Sequence, residues 1–88
     1  MDYEVLWHEK ALRDLKDIDK EKAKQITDKI KTYLVKDPVA KGMPLKGIFK
    51  GLYRFRVGDY RIVYSIDRAE NKITIYKVDH RKEVYRSR

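Results

Sequence analysis

Cysteine is missing from these 88 residues. Its absence removes disulfides, thiolate metal sites and a cysteine nucleophile together, and matches a reducing compartment. No apolar run approaches the ~20 residues of a membrane-spanning helix. The opening MDYEVLWHEK carries acids instead of an apolar core, so no signal peptide is expected. The two histidines, His8 and His80, lie far apart in sequence with no thiolate support, and the acids fall mostly on helix surfaces. Neither a metal site nor a paired-carboxylate site is expected, and no cofactor is implied. Serine chemistry is equally thin, because Ser65 lies inside a strand and Ser87 one residue from the end. The expectation is one soluble cytoplasmic domain over residues 1–88 that does not associate with membranes.

Positive charge is what the chain has in excess, at a net +8 from 22 Lys and Arg against 14 Asp and Glu. It is unevenly placed. Residues 1–45 hold ten basic and nine acidic side chains, whereas residues 46–88 hold twelve and five. The basic side chain also changes type, since Arg13 is the one arginine of the first part and the other seven follow Gly51. Guanidinium forks onto phosphate and stacks on flat rings. A basic, arginine-rich second half therefore points to nucleic acid ahead of an acidic protein or an anionic membrane.

Hydrophobic periodicity orders the elements. Tyr3, Val5 and Trp7 alternate with Asp2, Glu4 and Leu6 and read as a first strand. Ala11, Leu12, Leu15 and Ile18 keep helical spacing from His8 onward. Asp19 is placed to cap a second helix running to about Lys36, with Ala23, Ile26, Ile30, Tyr33 and Leu34 as its apolar stripe. Asp37-Pro38 stops that helix, since the residue before proline is pushed out of the α region. Residues 39–51 then hold three of the four glycines and read as a loop, which Leu45, Ile48 and Phe49 are expected to pin onto the core. After a polar turn at Asp67 to Asn71, Lys72 to Asp79 reads as a last strand with Ile73 and Ile75 on one face and Thr74, Tyr76 and Val78 on the other. Both faces are apolar enough for an interior strand. The order β-α-α-β-β-β gives an α+β fold, a helical hairpin packed on one side of a small, mainly antiparallel sheet.

Between the loop and the last strand lies LYRFRVGDYRIVYSI, Leu52 to Ile66. Two strand-forming runs joined by Gly58-Asp59 predict a two-residue β-hairpin. Val57 then pairs with Tyr60, Arg56 with Arg61, Phe55 with Ile62, Arg54 with Val63 and Tyr53 with Tyr64. Alternation puts Tyr53, Phe55, Val57, Tyr60, Ile62 and Tyr64 on an apolar face, and Arg54, Arg56 and Arg61 on the other. Like charges directly opposite in a sheet destabilise it by up to roughly 1 kcal/mol. Arg56 beside Arg61 calls for a reason other than stability, and an anionic partner supplies one. With Arg81, His80 and Tyr85 following the last strand, these arginines can form a cationic concavity. Such a set can cleave RNA, whose 2′-OH supplies the nucleophile while the protein positions it and neutralises the phosphorane. Tyr85 could stack on a splayed base.

The element order, the YRFRVGDYRIVYSI hairpin and the closing HRKEVY resemble the RelE/ParE superfamily of toxins from type II toxin-antitoxin systems, most of all its RelE branch. The resemblance covers essentially the whole chain. It implies a ribosome-dependent endoribonuclease that cuts mRNA in the ribosomal A site and leaves a 2′,3′-cyclic phosphate. It also implies a free toxin that is monomeric and a hetero-oligomer with a RelB-like antitoxin that wraps around it. Carried over by position, Arg54 and Arg56 stand where bacterial members have lysines acting on the 2′-OH and phosphate. Arg61 matches an arginine that stabilises the transition state, Arg81 one that serves the leaving 5′-oxygen, and Tyr85 a stacking tyrosine. Guanidinium is effectively never deprotonated, so Arg54 and Arg56 make poor bases. His80, of a residue type that titrates near neutrality, is the expected proton carrier. Both sequence signatures are shared with ParE-type members, for which the implied activity is binding and inhibition of DNA gyrase without nuclease chemistry. A basic RNA-binding module without catalysis is the third reading.

Overall fold

In the computed structural model, which describes residues 2–80, the chain forms eight regular elements. They are β1 (Glu4–Trp7), α1 (Glu9–Lys16), α2 (Lys20–Thr32), α3 (Pro38–Lys41), β2 (Met43–Pro44), β3 (Leu52–Val57), β4 (Tyr60–Asp67) and β5 (Lys72–His80). The sheet order is β1-β5-β4-β3-β2, antiparallel except for the parallel pair β1 and β5. The first and last strands are therefore neighbours. The expected α+β architecture holds, with α1 against β5 and α2 against β3.

Local chemistry sets the helix boundaries. The His8 imidazole Nδ1 accepts the Lys10 N–H at 3.1 Å and caps α1. Asp19 occupies the N-cap position of α2, but its side chain makes no capping bond. The second helix is shorter than its apolar stripe implies. It ends at Thr32, and a 3₁₀ turn, Leu34–Lys36, continues the stripe and buries Leu34 and Val35. The segment read as a plain loop holds two further elements. Pro38 opens the single turn of α3, where its missing N–H costs nothing and the Asp37 carboxylate accepts the Ala40 N–H at 3.2 Å. Met43 and Pro44 then pair with Arg54 and Tyr53 as the edge strand β2. A proline is tolerated there because an edge strand has one side free of the ladder.

The core lies between the helices and one sheet face. Ile26, Ile30 and Leu34 meet Ile62, Tyr64, Ile73, Ile75 and Val78, all buried, with Val5, Trp7, Tyr53 and Tyr60 packed around them. Two further expectations fail, each for a physical reason. Val78 faces the core, not the opposite side from Ile73 and Ile75. Tyr64 pairs with Ile75 and Val63 with Lys77, so Tyr76 is an extra residue, a β-bulge that reverses the alternation beyond it. Ile48 does not pin the loop, being 92% exposed. Gly47 and Gly51 adopt φ of +68° and +101° and turn the Gly47–Phe49 stretch outward. No helix among the described residues is long and apolar enough to cross a membrane.

Candidate functional site

The hairpin places the arginines, and its register is the expected one: Arg56 opposite Arg61, Arg54 opposite Val63, with Gly58 supplying the positive φ of 58° that the turn needs. Because the partner face of each strand is committed to the core, Arg54, Arg56 and Arg61 are driven onto the face that the helices leave open. The bulge at Tyr76 then extends this arrangement into β5. Lys77 lies opposite Val63, and Asp79 opposite Arg61. Two transverse rows result, Met43-Arg54-Val63-Lys77 and Arg56-Arg61-Asp79. They carry four cations against one carboxylate.

A cleft of about 490 Å³ runs over this face. Leu52, Val63 and Phe49 give it apolar walls, while Arg54, Arg61, Lys77 and Asp79 supply the charge. Of the loop residues expected on the core, Leu45 and Phe49 line this cleft instead. Arg54 is held by a bond from its guanidinium to the Met43 sulfur at 3.3 Å, and it also borders an adjoining groove shared with Arg56 and Lys41. Among the described residues, no carboxylate oxygen comes within salt-bridge distance of Arg54, Arg56 or Arg61. Asp79 pairs instead with Lys77, Nζ to Oδ2 at 3.0 Å.

Not every expected residue joins this cluster. His80 faces the helix side, since it pairs with Tyr60 across the ladder and their rings meet edge-on at 4.9 Å. It borders a small cavity with Asp14, Asp17 and Ile18. The bulge is again the cause, as the reversed alternation that turns Val78 inward turns His80 the same way and sends Asp79 to the arginines. Arg81 and Tyr85 lie outside the described residues. Sequence reasoning missed Lys77 and Asp79 altogether. The signal was available: Tyr76-Lys77 interrupts the alternation between Ile75 and Val78, which is how a one-residue bulge reads in a strand pattern.

The cluster can bind a phosphodiester and stabilise added negative charge at phosphorus, because several cationic donors share one face and only Lys77 among them is paired with a carboxylate. Known proteins share this sequence pattern and fold. A family model described as the ParE toxin of the type II toxin-antitoxin system parDE matches residues 5–85. Toxin RelG of Mycobacterium tuberculosis is 38% identical over 53 residues, 60% of this chain and 61% of that protein's own length. Toxin RelE of the same organism is 32% identical over 84 residues, 96% of this chain and 87% of that protein. The RelBE2 toxin-antitoxin complex from M. tuberculosis contains a chain that superposes with a TM-score of 0.88 at 30% identity, covering 92% of this chain and 100% of that one.

Proposed function

This chain belongs to the RelE/ParE family of type II toxin-antitoxin toxins, and on that premise we propose that it is a ribosome-dependent endoribonuclease cleaving mRNA in the A site. The observation that carries the reading is the open-face arginine cluster, three arginines on one sheet face, Arg54 and Arg61 lining the cleft and Arg56 the adjoining groove, without a carboxylate within salt-bridge distance among the described residues. The 2′-oxygen attacks the adjacent phosphorus, the P–O5′ bond breaks, and the products are a 2′,3′-cyclic phosphate and a free 5′-OH. Arg54, Arg56 and Arg61 bind the phosphate and stabilise the charge that builds on its oxygens. By family resemblance, Arg81 serves the leaving oxygen and Tyr85 stacks on the base. The occupant of the same basic chain in its inactive state is a RelB-like antitoxin, by analogy with the RelBE2 complex.

Translation in vitro followed by primer extension tests the proposal. Codon-positioned breaks with 2′,3′-cyclic ends support it, and Arg61→Ala should lower their rate by ~10²- to 10³-fold. Full activity in that variant would remove the site as drawn. The matching family model is named for ParE, which favours gyrase inhibition as a second reading. Intact message together with gyrase-dependent DNA breaks would establish that reading in place of the first.

A further inference from the structure

We infer that Asp79 accepts the proton of the attacking 2′-OH and that Lys77 donates one to the departing 5′-oxygen. The inference rests on the ribonuclease reading of the same cleft. Arginine cannot take a proton at any ordinary pH, and His80 lies across the sheet against Tyr60. Among the described residues, the ionisable groups of the cleft able to exchange a proton are Asp79, Lys77 and the phenol of Tyr76. The Tyr76 hydroxyl is engaged with the Ser65 hydroxyl at 3.3 Å. Asp79 and Lys77 are already an acid and base in contact, at 3.0 Å.

A carboxylate here needs a reason. It opposes the binding of an anion in a cleft otherwise lined by cations, and its ion pair with Lys77 is 25% and 42% exposed on the two sides, where such pairs contribute little to stability. Proton transfer supplies the reason. The 2′-OH proton passes to the Asp79 carboxylate as the 2′-O–P bond forms, and a Lys77 ammonium proton goes to O5′ as the P–O5′ bond breaks. That leaves a carboxylic acid beside a neutral amine. Direct transfer between them restores the ion pair, so the site resets without a further reagent. Arg61 lies directly opposite Asp79 on β4, and Lys77 beside it and Arg54 from β3 line the same cleft.

The test is single-turnover cleavage of message on programmed ribosomes by the wild type, Asp79→Asn and Asp79→Glu, read with a pH-rate profile and a ribosome-binding assay. Asp79→Asn should cut at least ~10²-fold more slowly, bind as tightly as the wild type or more so, and lose the acid limb of the profile. Asp79→Glu should recover part of the rate. A bystander carboxylate predicts the opposite sign, because its neutralisation would strengthen phosphate binding and hold or raise the rate. Wild-type or faster cleavage by Asp79→Asn, or an unchanged acid limb, overturns the inference and leaves the ribonuclease reading standing. A wild type that produces no cyclic-phosphate ends overturns both.

Discussion

Gly42 stands directly against the Tyr64 hydroxyl, so closely that a Cβ on Gly42 would overlap the phenolic oxygen and come within 2.8 Å of its ring carbon. The backbone at Gly42 is ordinary extended chain, φ −102°. The residue is therefore required for space and not for conformation. Tyr64 is fully buried and donates its hydroxyl to the Pro38 carbonyl at 2.7 Å. One core side chain thus fastens α3, and the start of the edge strand, to the hairpin that bears the arginines.

Gly42→Ala should destabilise the fold by about 1 to 3 kcal/mol, the range for overpacking a well-filled site. Tyr64→Phe should cost about 1 to 2 kcal/mol by leaving the Pro38 carbonyl without its donor. Denaturant unfolding of the double variant should show less loss than the two single costs added, because the hydroxyl that collides with the new methyl is gone.

Burial, and secondarily the neighbouring Tyr53, pushes the Tyr64 phenol well above the ordinary tyrosine range. In the unfolded chain this phenol ionises near pH 10; in the folded chain it stays protonated well beyond that. Below about pH 10 both states hold the proton and its stabilising contribution is complete. As pH rises past that point the unfolded state sheds the proton first, so stability should fall by up to about 1.4 kcal/mol per pH unit from this group. Unfolding measured between pH 9 and about 11 should show that slope in the wild type and a shallower one in Tyr64→Phe.

Asp14 ties α1 to the far end of β5. Its carboxylate accepts the Val78 N–H at 2.9 Å, beyond the stretch that pairs with β1, which ends at Ile75. Removing the acceptor leaves a partly buried amide unsatisfied, so Asp14→Ala should cost about 1 to 3 kcal/mol. Asp14→Asn retains an acceptor oxygen and should cost less. Lys10→Ala breaks only the exposed i,i+4 pair with Asp14 and should cost no more than about 0.5 kcal/mol. Amide exchange at Val78 should accelerate in Asp14→Ala alone.

How much of this was legible in the chain depends on how local its cause is. The hairpin register follows from Gly58-Asp59 and strict alternation, both contained in fifteen residues, and every pair from Tyr53-Tyr64 to Val57-Tyr60 is as read. The break at Tyr76-Lys77 shows within β5, but the pairing that completes the offset, Val78 opposite Ile62, lies on another strand. That single offset exchanged His80 for Asp79 on the arginine face. The β2 edge and the α3 turn were hidden for a similar reason. Glycine and proline marked the segment as irregular, whereas the Tyr64 hydroxyl and the free edge of β3 gave it order from a distance.

The arginine face predicts a trade between stability and activity. Arg56 and Arg61 are cross-strand partners with no carboxylate within salt-bridge distance among the described residues, and such like-charged pairs cost a sheet tenths of a kcal/mol up to about 1 kcal/mol. Arg56→Thr, a strand-favouring and uncharged replacement at an exposed position, should therefore raise the denaturation midpoint slightly while weakening phosphate binding. Arg61→Ala should leave stability within about 0.5 kcal/mol of the wild type, the lost repulsion offsetting the lost packing of its stem, while cleavage falls by orders of magnitude. Measured together, unfolding and cleavage in these two variants separate a charge kept for its ligand from one kept for the fold. If both substitutions destabilise by more than ~2 kcal/mol, the arginines are structural and the cleft loses its claim to be the site.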